Sequence, residues 1–561
     1  MNATQLPETQ HALQLVGPDE LELNHRKAVN APTASQILLK VEAVGLCFSD
    51  LKLLHQFDQH PRKAPVESGV DPAVLNALPS YCPGDQPTVP GHEVVATVAA
   101  VGPEVKQHKV GERIILQADT RQLKTAKSNG AYGYNMEGGL QEYFLTDEKI
   151  AIYQGQRFLM PVSDDRNAAA VALVEPWACV ECSYVTKERQ TIKPGSRLLV
   201  VADAGRQIRG LSESFSSEAA PSSITCKLAD AQQSAAIDEL GIAVRQDTDD
   251  LAALADEEYD DIVYFGSDKA TLDTLNDKLA ARGICNVVLA GERIGAEVSV
   301  GVGRVHYGMT RWIGTLSADA SESYSVIPEI GEIRDGDRIL VVGAGGPMGQ
   351  MHVIRNICSG KSDLEVVATD FDDARLESLT KKAGPFAADR GVEYSTVNPQ
   401  NSKPEGKFSY IALMAPVGQL VANAIADSDS GCVINIFAGI PVATKHELDL
   451  DTYIANRCFM FGTSGSTIHD MEIVREKVET GQLDTNCSVD AVCGMEGAAE
   501  GIEAVKNRSI AGKIIVYPQL EDMGLIPLEK LAEVYPQVAE KLADGMWTAE
   551  AEEELLQTVG K

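Results

Sequence analysis

The chain has 561 residues, 44% of them hydrophobic, and its 49 basic and 81 acidic side chains give a formal net charge of −32 at pH 7. This length and composition exclude disordered and collagen-like classes and predict several packed domains. The negative charge disfavours binding to nucleic acid or to an anionic membrane surface. The sequence has no apolar run of about 18 residues, so no transmembrane helix is expected, and the N-terminus lacks the pattern of a secretory signal. The eleven scattered cysteines are typical of reduced thiols in a cytoplasmic protein.

The predicted elements change in character along the chain. Up to about residue 153 we expect mainly strands, because segments such as 36–44 (QILLKVEAV) alternate and carry β-branched residues. Segment 60–90 is rich in Pro, Asp and Gly and predicts a long surface loop. An Ala-rich helix is predicted at 167–187, and strands and helices alternate after it, which predicts parallel sheet with helices on both faces. The strands predicted in this later part are 197–201, 261–265, 286–290, 338–342, 365–369, 410–414 and 432–437.

An internal repeat organises this later part. Residues 192–205 (IKPGSRLLVVADAG) match residues 333–346 (IRDGDRILVVGAGG) at Ile, Gly, Arg, Leu, two Val and Gly. Residues 283–291 resemble residues 431–439 in the same way, and a Gly-Thr pair at 314 recurs at 462 with nearly the same offset. Two matches at nearly equal offsets predict tandem doubly wound units at about 192–332 and 333–482.

A glycine-rich loop in the second repeat predicts a dinucleotide site. Segment 339–349 (ILVVGAGGPMG) leads from a buried strand into a helix predicted at 350–357, so that backbone amides and the helix N-terminus can face a pyrophosphate. An acidic residue ends the next strand, where it can accept hydrogen bonds from ribose hydroxyls and favours NAD over NADP. An arginine five residues later could flank the same ribose. The predicted cofactor-binding residues are Gly343, Gly345, Gly346, Pro347, Met348, Gly349, Asp370 and Arg375.

The glycine spacing leaves two registers open. Gly343 and Gly345 fit the first two motif glycines, but Met348 then takes the place of the third; read from Ala344, the last two glycines fit and the first is alanine. In the first repeat, segment 202–210 (ADAGRQIRG) has no clustered glycines. We interpret that repeat as a structural or oligomerisation copy; the alternative is that its two arginines, at 206 and 209, hold another phosphate-bearing ligand.

Three further segments carry residue types that suit a metal centre: 45–50 (GLCFSD), 91–93 (GHE) and 174–176 (VEP). A thiolate, an imidazole and a carboxylate with one open position are what catalytic zinc requires. Taken singly, the cysteine could be a buried small residue, the histidine a turn residue and the glutamate a helix-start carboxylate. Their combination upstream of a dinucleotide loop favours the metal centre.

With these residues the chain resembles the zinc-dependent medium-chain alcohol and polyol dehydrogenases, and within them the sorbose-1-phosphate reductase-like group. The similarity covers roughly residues 36–200 and 333–518 and skips the first repeat. The motifs that carry it are GLCFSDLKLLHQ (45–56), PGHE (90–93), GGLQEYFLT (138–146), LVEPWACV (173–180), GGPMG (345–349), INIFAGIP (434–441) and GTSGSTIHDM (462–471).

The resemblance implies a role for each matching residue of the centre. Cys47 and His92 would bind zinc, and Glu93 and Glu175 would share or exchange the remaining positions, which leaves open the carboxylate that binds directly. Ser49 would relay the proton of the alcohol. Cys47, Ser49, His92 and Glu175 are thus the predicted catalytic residues.

Other features of the family are matched less closely. Asp50 matches a carboxylate that usually supports the site, and Lys52 lies near the place of a relay histidine. Segment 116–139 contains no cysteine, so one catalytic zinc and no structural zinc are expected. A phosphorylated substrate would need local cations; Lys52, Arg62 and Lys63 are candidates, with ordinary solvated charges as the alternative for the latter two.

The alternating strands and helices and the internal repeat predict an α/β fold class with two tandem doubly wound (Rossmann-like) parallel-sheet units, and the resemblance implies a GroES-like β-rich catalytic domain before them. We expect a zinc-dependent oxidoreductase that transfers a hydride between NAD(H), preferred over NADP(H), and a secondary alcohol or ketone of a polyol, sugar or sugar phosphate. A homo-oligomer is expected. The alternative is a non-catalytic dinucleotide-binding or scaffold member of the same family. The predicted domains are 1–191 (catalytic domain with exit helix), 192–332 (degenerate Rossmann-like repeat), 333–482 (NAD-binding Rossmann domain), 483–520 (return segment completing the catalytic domain) and 521–561 (helical acidic tail).

Overall fold

A computed structural model describes residues 6–560 of the chain. The chain divides into two compact units, of which the first comprises Met1–Glu181 with Gly465–Lys561 and the second Cys182–Ser464. The finer division into five segments stays a prediction.

The first unit is built on an eight-stranded sheet. In spatial order seven of its strands are Leu159–Pro161, Arg113–Leu116, Glu93–Val101, Gln36–Gly45, Lys513–Val516, Val489–Cys493 and Ile526–Pro527, and Tyr143–Asp147 also pairs with the fourth of them. Its other strands are Thr9–Gly17, Glu20–Ala28, Val66–Ser68, Asp119–Thr125, Asn129–Ala131, Ile152–Tyr153 and Gln156–Arg157. The helices that begin in this unit are Phe48–Gln56, Pro72–Asn76, Glu148–Ala151, Ala168–Ala172, Val174–Val185, Ile468–Glu479, Met495–Asn507, Leu531–Val534, Pro536–Ala539 and Ala549–Val559.

The second unit contains two six-stranded parallel sheets with the same strand order, which confirms the predicted pair of doubly wound units. In spatial order the first has Arg245–Asp247, Ser223–Lys227, Arg197–Ala202, Tyr259–Phe265, Leu279–Val288 and Arg311–Thr315; the second has Glu393–Val397, Glu365–Thr369, Arg338–Val342, Phe408–Leu413, Ser428–Ile436 and Phe459–Phe461. The helices around the first sheet are Ala231–Asp238, Lys269–Lys278, Val302–Tyr307 and Ser321–Tyr324. Those around the second are Pro347–Ile357, Asp373–Arg390, Gly418–Ala426 and Leu450–Ala455.

One expectation about apolar segments needs correction. The stretch Ala168–Val185, although Glu175 and Glu181 interrupt it, is long and apolar enough by composition to cross a membrane; 89% of it is buried inside the protein, as in a core helix. The acidic tail also carries buried apolar side chains, since Trp547 is 1% exposed and Leu555 is fully buried.

Candidate metal centre and dinucleotide loop

Strand register brings three of the four predicted metal ligands together. Gly45, at the end of its strand, lies opposite Glu93 in the antiparallel pair formed by Gln36–Gly45 and Glu93–Val101. Cys47 follows as the N-cap of the next helix. The donor atoms of Cys47, His92 and Glu93 consequently lie within 4.8 Å of one another. The first unit thus contains a thiol, an imidazole and a carboxylate close enough together to bind one ion.

Asp50 and Ser49 hold the imidazole and the thiol in place. His92 Nδ1 lies 3.1 Å from Asp50 Oδ1, and the other oxygen of Asp50 accepts a hydrogen bond from the Cys47 amide at 3.1 Å. Ser49 Oγ lies 3.1 Å from both Cys47 Sγ and His92 Nε2. Burial lowers the pKa of His92, but the Asp50 carboxylate and Cys47 outweigh burial and hold that pKa well above its usual range. A carboxylate on Nδ1 is the usual way to direct Nε2 at a metal.

Glu93 is completely buried, and one of its oxygens has no hydrogen-bond partner within residues 6–560. Its Oε1 accepts a hydrogen bond from Lys513 Nζ at 2.5 Å, and Oε2 is the unpartnered atom. A Cβ on Gly45 would lie 2.0 Å from that Oε2, so only glycine leaves room for the carboxylate. An unpaired buried carboxylate oxygen is costly unless an ion or a water satisfies it, which fits a cation between these donors.

Sequence reasoning missed Lys513. It lies in the short strand Lys513–Val516, is 3% exposed, and also donates to the carbonyl of Leu46 at 2.7 Å. Burial lowers the pKa of Lys513, but the charges of Glu93 and Cys47 raise it above the usual value, so it stays an ammonium beside the centre. A lysine within the otherwise apolar strand pattern was the available signal.

Glu175 lies in the first turn of Val174–Val185 and is 8% exposed. It is not one of the three donors within 4.8 Å of one another. Burial raises its pKa to about 7; the charge of Glu93 adds to that shift, and the charge of His92 opposes it. Glu175 is therefore a buried carboxyl beside the centre, and its direct binding to a metal stays a proposal.

The cations considered for a phosphate have other partners. Arg62 pairs with Asp119 at 2.9 Å, and its guanidinium carbon lies 5.3 Å from the centre of the Tyr134 ring. Lys63 is completely buried and donates to the backbone carbonyls of residues 82 and 86, so it is not an ordinary solvated charge. Burial lowers the pKa of His60 to about 4, and its ring lies 4.9 Å from that of Tyr134.

The glycine loop of the second repeat connects a strand to the N-terminus of a helix, as the sequence predicts. Strand Arg338–Val342 is followed by Gly343, whose φ of +80° suits glycine, and Gly346 is the N-cap of helix Pro347–Ile357. A Cβ on Gly349 would lie 2.5 Å from the carbonyl oxygen of Gly343. Gly349 therefore provides the close helix–strand packing of the third motif glycine. This supports the register that starts at the alanine after Gly343.

Asp370, which directly follows strand Glu365–Thr369, is hydrogen-bonded to this glycine loop. Asp370 Oδ2 accepts a hydrogen bond from the Gly345 amide at 2.9 Å, and Oδ1 accepts one from the Asp372 amide at 3.1 Å. A Cβ on Gly345 would lie 2.8 Å from Cβ of Arg375. The structure thus brings the predicted loop, carboxylate and arginine together, and their roles towards a cofactor stay predictions.

The equivalent loop of the first repeat differs. Strand Arg197–Ala202 is followed by a single turn of 3₁₀ helix at Ser212–Ser214 instead of the long helix of the second repeat. Arg206 donates to the carbonyl of Leu289 at 2.8 Å and pairs with Glu292 at 2.5 Å. Arg206 is therefore occupied by the protein's own groups, and its loop leads into no extended helix that could receive a pyrophosphate.

Glu552, in the C-terminal helix, was also missed. Although only 4% exposed, it accepts hydrogen bonds from the amides of Ala168 and Ala169 at 2.6 and 2.9 Å. It also accepts from Asn167 Nδ2 at 2.9 Å and from the Tyr517 hydroxyl at 2.7 Å. A side chain nearly four hundred residues away thus caps the helical stretch that leads to the Glu175 turn. Local sequence gives no signal for this, since Glu552 lies in a run of glutamates.

The comparisons with known proteins agree with this architecture. Residues 33–154 match the family model of the alcohol dehydrogenase GroES-like domain. The chain is 26% identical over 272 residues to the uncharacterized protein YggP of Escherichia coli K12, covering 44% of this chain and 63% of that protein. It is 26% identical over 216 residues to an erythritol/L-threitol dehydrogenase of Mycolicibacterium smegmatis, covering 34% of this chain and 52% of that protein. These alignments thus span between half and two-thirds of the curated relatives.

Among solved structures, 2R,3R-butanediol dehydrogenase from Bacillus subtilis aligns with a TM-score of 0.52 at 13% identity, covering 91% of this chain and 100% of that chain. This likeness concerns the fold. The matches confirm the predicted fold class, a GroES-like domain with Rossmann-like parallel sheets. At the level of sequence, residues 33–154 are similar to the GroES-like domain of alcohol dehydrogenases, and the longer alignments are to proteins that include a polyol dehydrogenase.

Proposed function

We propose that the protein is a zinc- and NAD-dependent oxidoreductase that interconverts a secondary alcohol and a ketone of a polyol, sugar or sugar phosphate. The observation that carries this proposal is the cluster of the half-buried Cys47 with the buried His92 and Glu93, in which one oxygen of the Glu93 carboxylate has no partner among the described residues. The polyol dehydrogenases among the relatives support the substrate class. The cytoplasm is the proposed location.

The residues present fit zinc. A thiolate, an imidazole nitrogen and a carboxylate oxygen are its usual ligands in proteins. Cys47, His92 and Glu93 would hold the ion, and Glu175 would be the alternative carboxylate. Bound there, zinc supplies Lewis acidity, which lowers the pKa of an alcohol or polarises a ketone.

The chain's own residues prepare this chemistry. Asp50 fixes the ring of His92, and Lys513 neutralises the charge that Glu93 brings into the interior. Ser49 lies beside the sulfur of Cys47 and Nε2 of His92, so its hydroxyl is placed to accept the alcohol proton during oxidation and to return it during reduction. The same hydroxyl can do both because it is at once donor and acceptor.

The cofactor would be held by the second repeat. The loop from Gly343 to Gly349 offers its amides and the start of a helix to the pyrophosphate. Asp370 would accept hydrogen bonds from the adenosine ribose and would repel a 2′-phosphate, which favours NAD. Arg375 would lie along the same ribose. A nicotinamide cofactor held by these residues would supply the hydride chemistry, as acceptor in alcohol oxidation and as donor in ketone reduction.

The test combines metal analysis with turnover. The purified chain is analysed for zinc, and NADH formation is followed with a panel of polyols and sugar phosphates, for the wild type, Cys47→Ala and the control Cys358→Ala at a cysteine of the second unit. We expect about one zinc per chain and NADH formation, both lost in Cys47→Ala and both kept in the control. A zinc-loaded chain without turnover on any substrate would favour a non-catalytic member, and a chain that binds no zinc would refute the proposal.

A further inference from the structure

The two sheets of the second unit meet through equivalent parts of the two repeats. A Cβ on Gly314 would lie 2.6 Å from the side chain of Ile454, and a Cβ on Gly462 would lie 2.8 Å from Cα of His306. Gly314 corresponds to Gly462 in the repeat, and His306 corresponds to Ile454 by the same separation along the chain. Each repeat thus places its glycine against the same helical position of the other.

A pair of short strands shows the same reciprocity. Val298–Val300 of the first repeat pairs antiparallel with His446–Leu448 of the second. The two strands are equivalent in the repeat, and Ser299 lies opposite Glu447 at their middle. Antiparallel pairing of equivalent strands about their common centre requires a local two-fold axis.

The surface between the repeats is a hydrophobic core. One cluster of buried side chains runs through both sheets and includes Trp312 of the first repeat and Tyr453 and Met460 of the second. Trp312 is 2% exposed and Tyr453 is 1% exposed, and the Tyr453 hydroxyl donates to the Trp312 carbonyl at 2.8 Å. A second repeat on its own would leave the apolar edge strand Phe459–Phe461 uncovered, which invites pairing with another chain.

Identical surfaces that meet about a two-fold axis are the arrangement of a symmetric dimer. We infer that the first repeat is a built-in partner: within one chain it covers the sheet edge through which the second repeat would otherwise pair with a second copy of itself. This role requires no ligand in the first repeat, which agrees with the absence of a long helix after its strand Arg197–Ala202. It also means that the homo-oligomer expected from the sequence would have to form through another surface than this sheet edge.

A cross-link in the full chain tests the inference. Ser299 is half-buried and Glu447 is exposed, so both positions tolerate cysteine. Directly opposed residues of an antiparallel pair have Cα atoms about 5 Å apart, which suits a disulfide. After oxidation of the Ser299→Cys/Glu447→Cys variant, we expect a link within one chain, seen as a reducible species with the mass of one chain. A link between two chains, or no link, would overturn the inference, and the two single variants measure the background from the native cysteines.

Hydrogen exchange of the unmodified chain provides a second readout. If the edge strands Arg311–Thr315 and Phe459–Phe461 cover each other within one chain, their amide protection does not change on dilution from micromolar to nanomolar concentration. Protection that falls on dilution would show that the edge pairs between copies and would overturn the inference. Neither experiment uses zinc or NAD, so both outcomes are independent of the proposed function.

Discussion

Replacing Glu552 by alanine should destabilise the first unit, because this side chain caps a buried helix start. The carboxylate accepts from the amides of Ala168 and Ala169, from Asn167 and from the Tyr517 hydroxyl. Alanine would leave these donors buried without a partner.

The magnitude follows from the number of donors. Each buried donor left unsatisfied costs about 1–3 kcal/mol, and part of that cost is recovered where water enters. We therefore expect Glu552→Ala to lower the free energy of unfolding by about 3–5 kcal/mol. For a unit of this size that corresponds to a fall in Tm of about 5–10 °C. Glu552→Gln keeps one acceptor oxygen, so its loss should lie between wild type and alanine.

Thermal unfolding followed by circular dichroism measures this effect. The matched control is Glu550→Ala on the same helix, whose exposed side chain should contribute only about 0.5 kcal/mol through the helix dipole. If Glu552→Ala melts within about 1 °C of Glu550→Ala, the capping role assigned to Glu552 is wrong.

Three further predictions concern the metal centre, acid stability and the cofactor. Gly45→Ala places a methyl group 2.0 Å from Glu93 Oε2 and so displaces that carboxylate, and the zinc retained after dialysis should fall severalfold; unchanged zinc would remove Glu93 from the ligand set. Burial lowers the pKa of His352 from 6.5 to about 3, so between these two pH values the unfolded chain binds a proton that the folded chain does not. The free energy of unfolding should therefore fall by about 3–5 kcal/mol as the pH is lowered from about 6.5 to about 3. Urea unfolding at several pH values measures this dependence of the free energy of unfolding on pH. The dependence should be weaker in His352→Gln and unchanged in the exposed control His469→Gln, and an equal dependence in both variants would refute the role of His352. Asp370→Ala should relax the preference for NAD over NADP in steady-state kinetics, whereas an unchanged ratio would exclude its ribose role.

Much of the fold could be predicted because its signals are local. Buried parallel strands leave continuous runs of β-branched residues, and the repeat shows twice, at 192 and at 333. The association of Cys47 with His92 and Glu93 could also be expected, since both segments adjoin strands of the β-rich part. The antiparallel register that sets Gly45 opposite Glu93 then fixes their distance.

The remaining parts of the site depend on contacts that no local pattern encodes. Lys513 reaches Glu93 across 420 residues of chain, and Glu552 reaches Ala168 across 384. Lys63 was considered a phosphate-binding or solvated cation, yet it is buried among carbonyls of its own loop. Each is a polar group within a segment whose pattern predicts only strand, helix or loop, so its partner is defined by the tertiary fold alone.

Cobalt substitution tests the central claim, the metal centre of the first unit, most directly. In the cobalt-loaded chain, a thiolate ligand gives a near-ultraviolet charge-transfer absorption that reports the Cys47 sulfur itself. We predict that this absorption is present in wild type and in Cys358→Ser, that it is lost in Cys47→Ser, and that the visible cobalt bands change when an alcohol substrate is added. An identical charge-transfer absorption in Cys47→Ser would contradict the proposed centre.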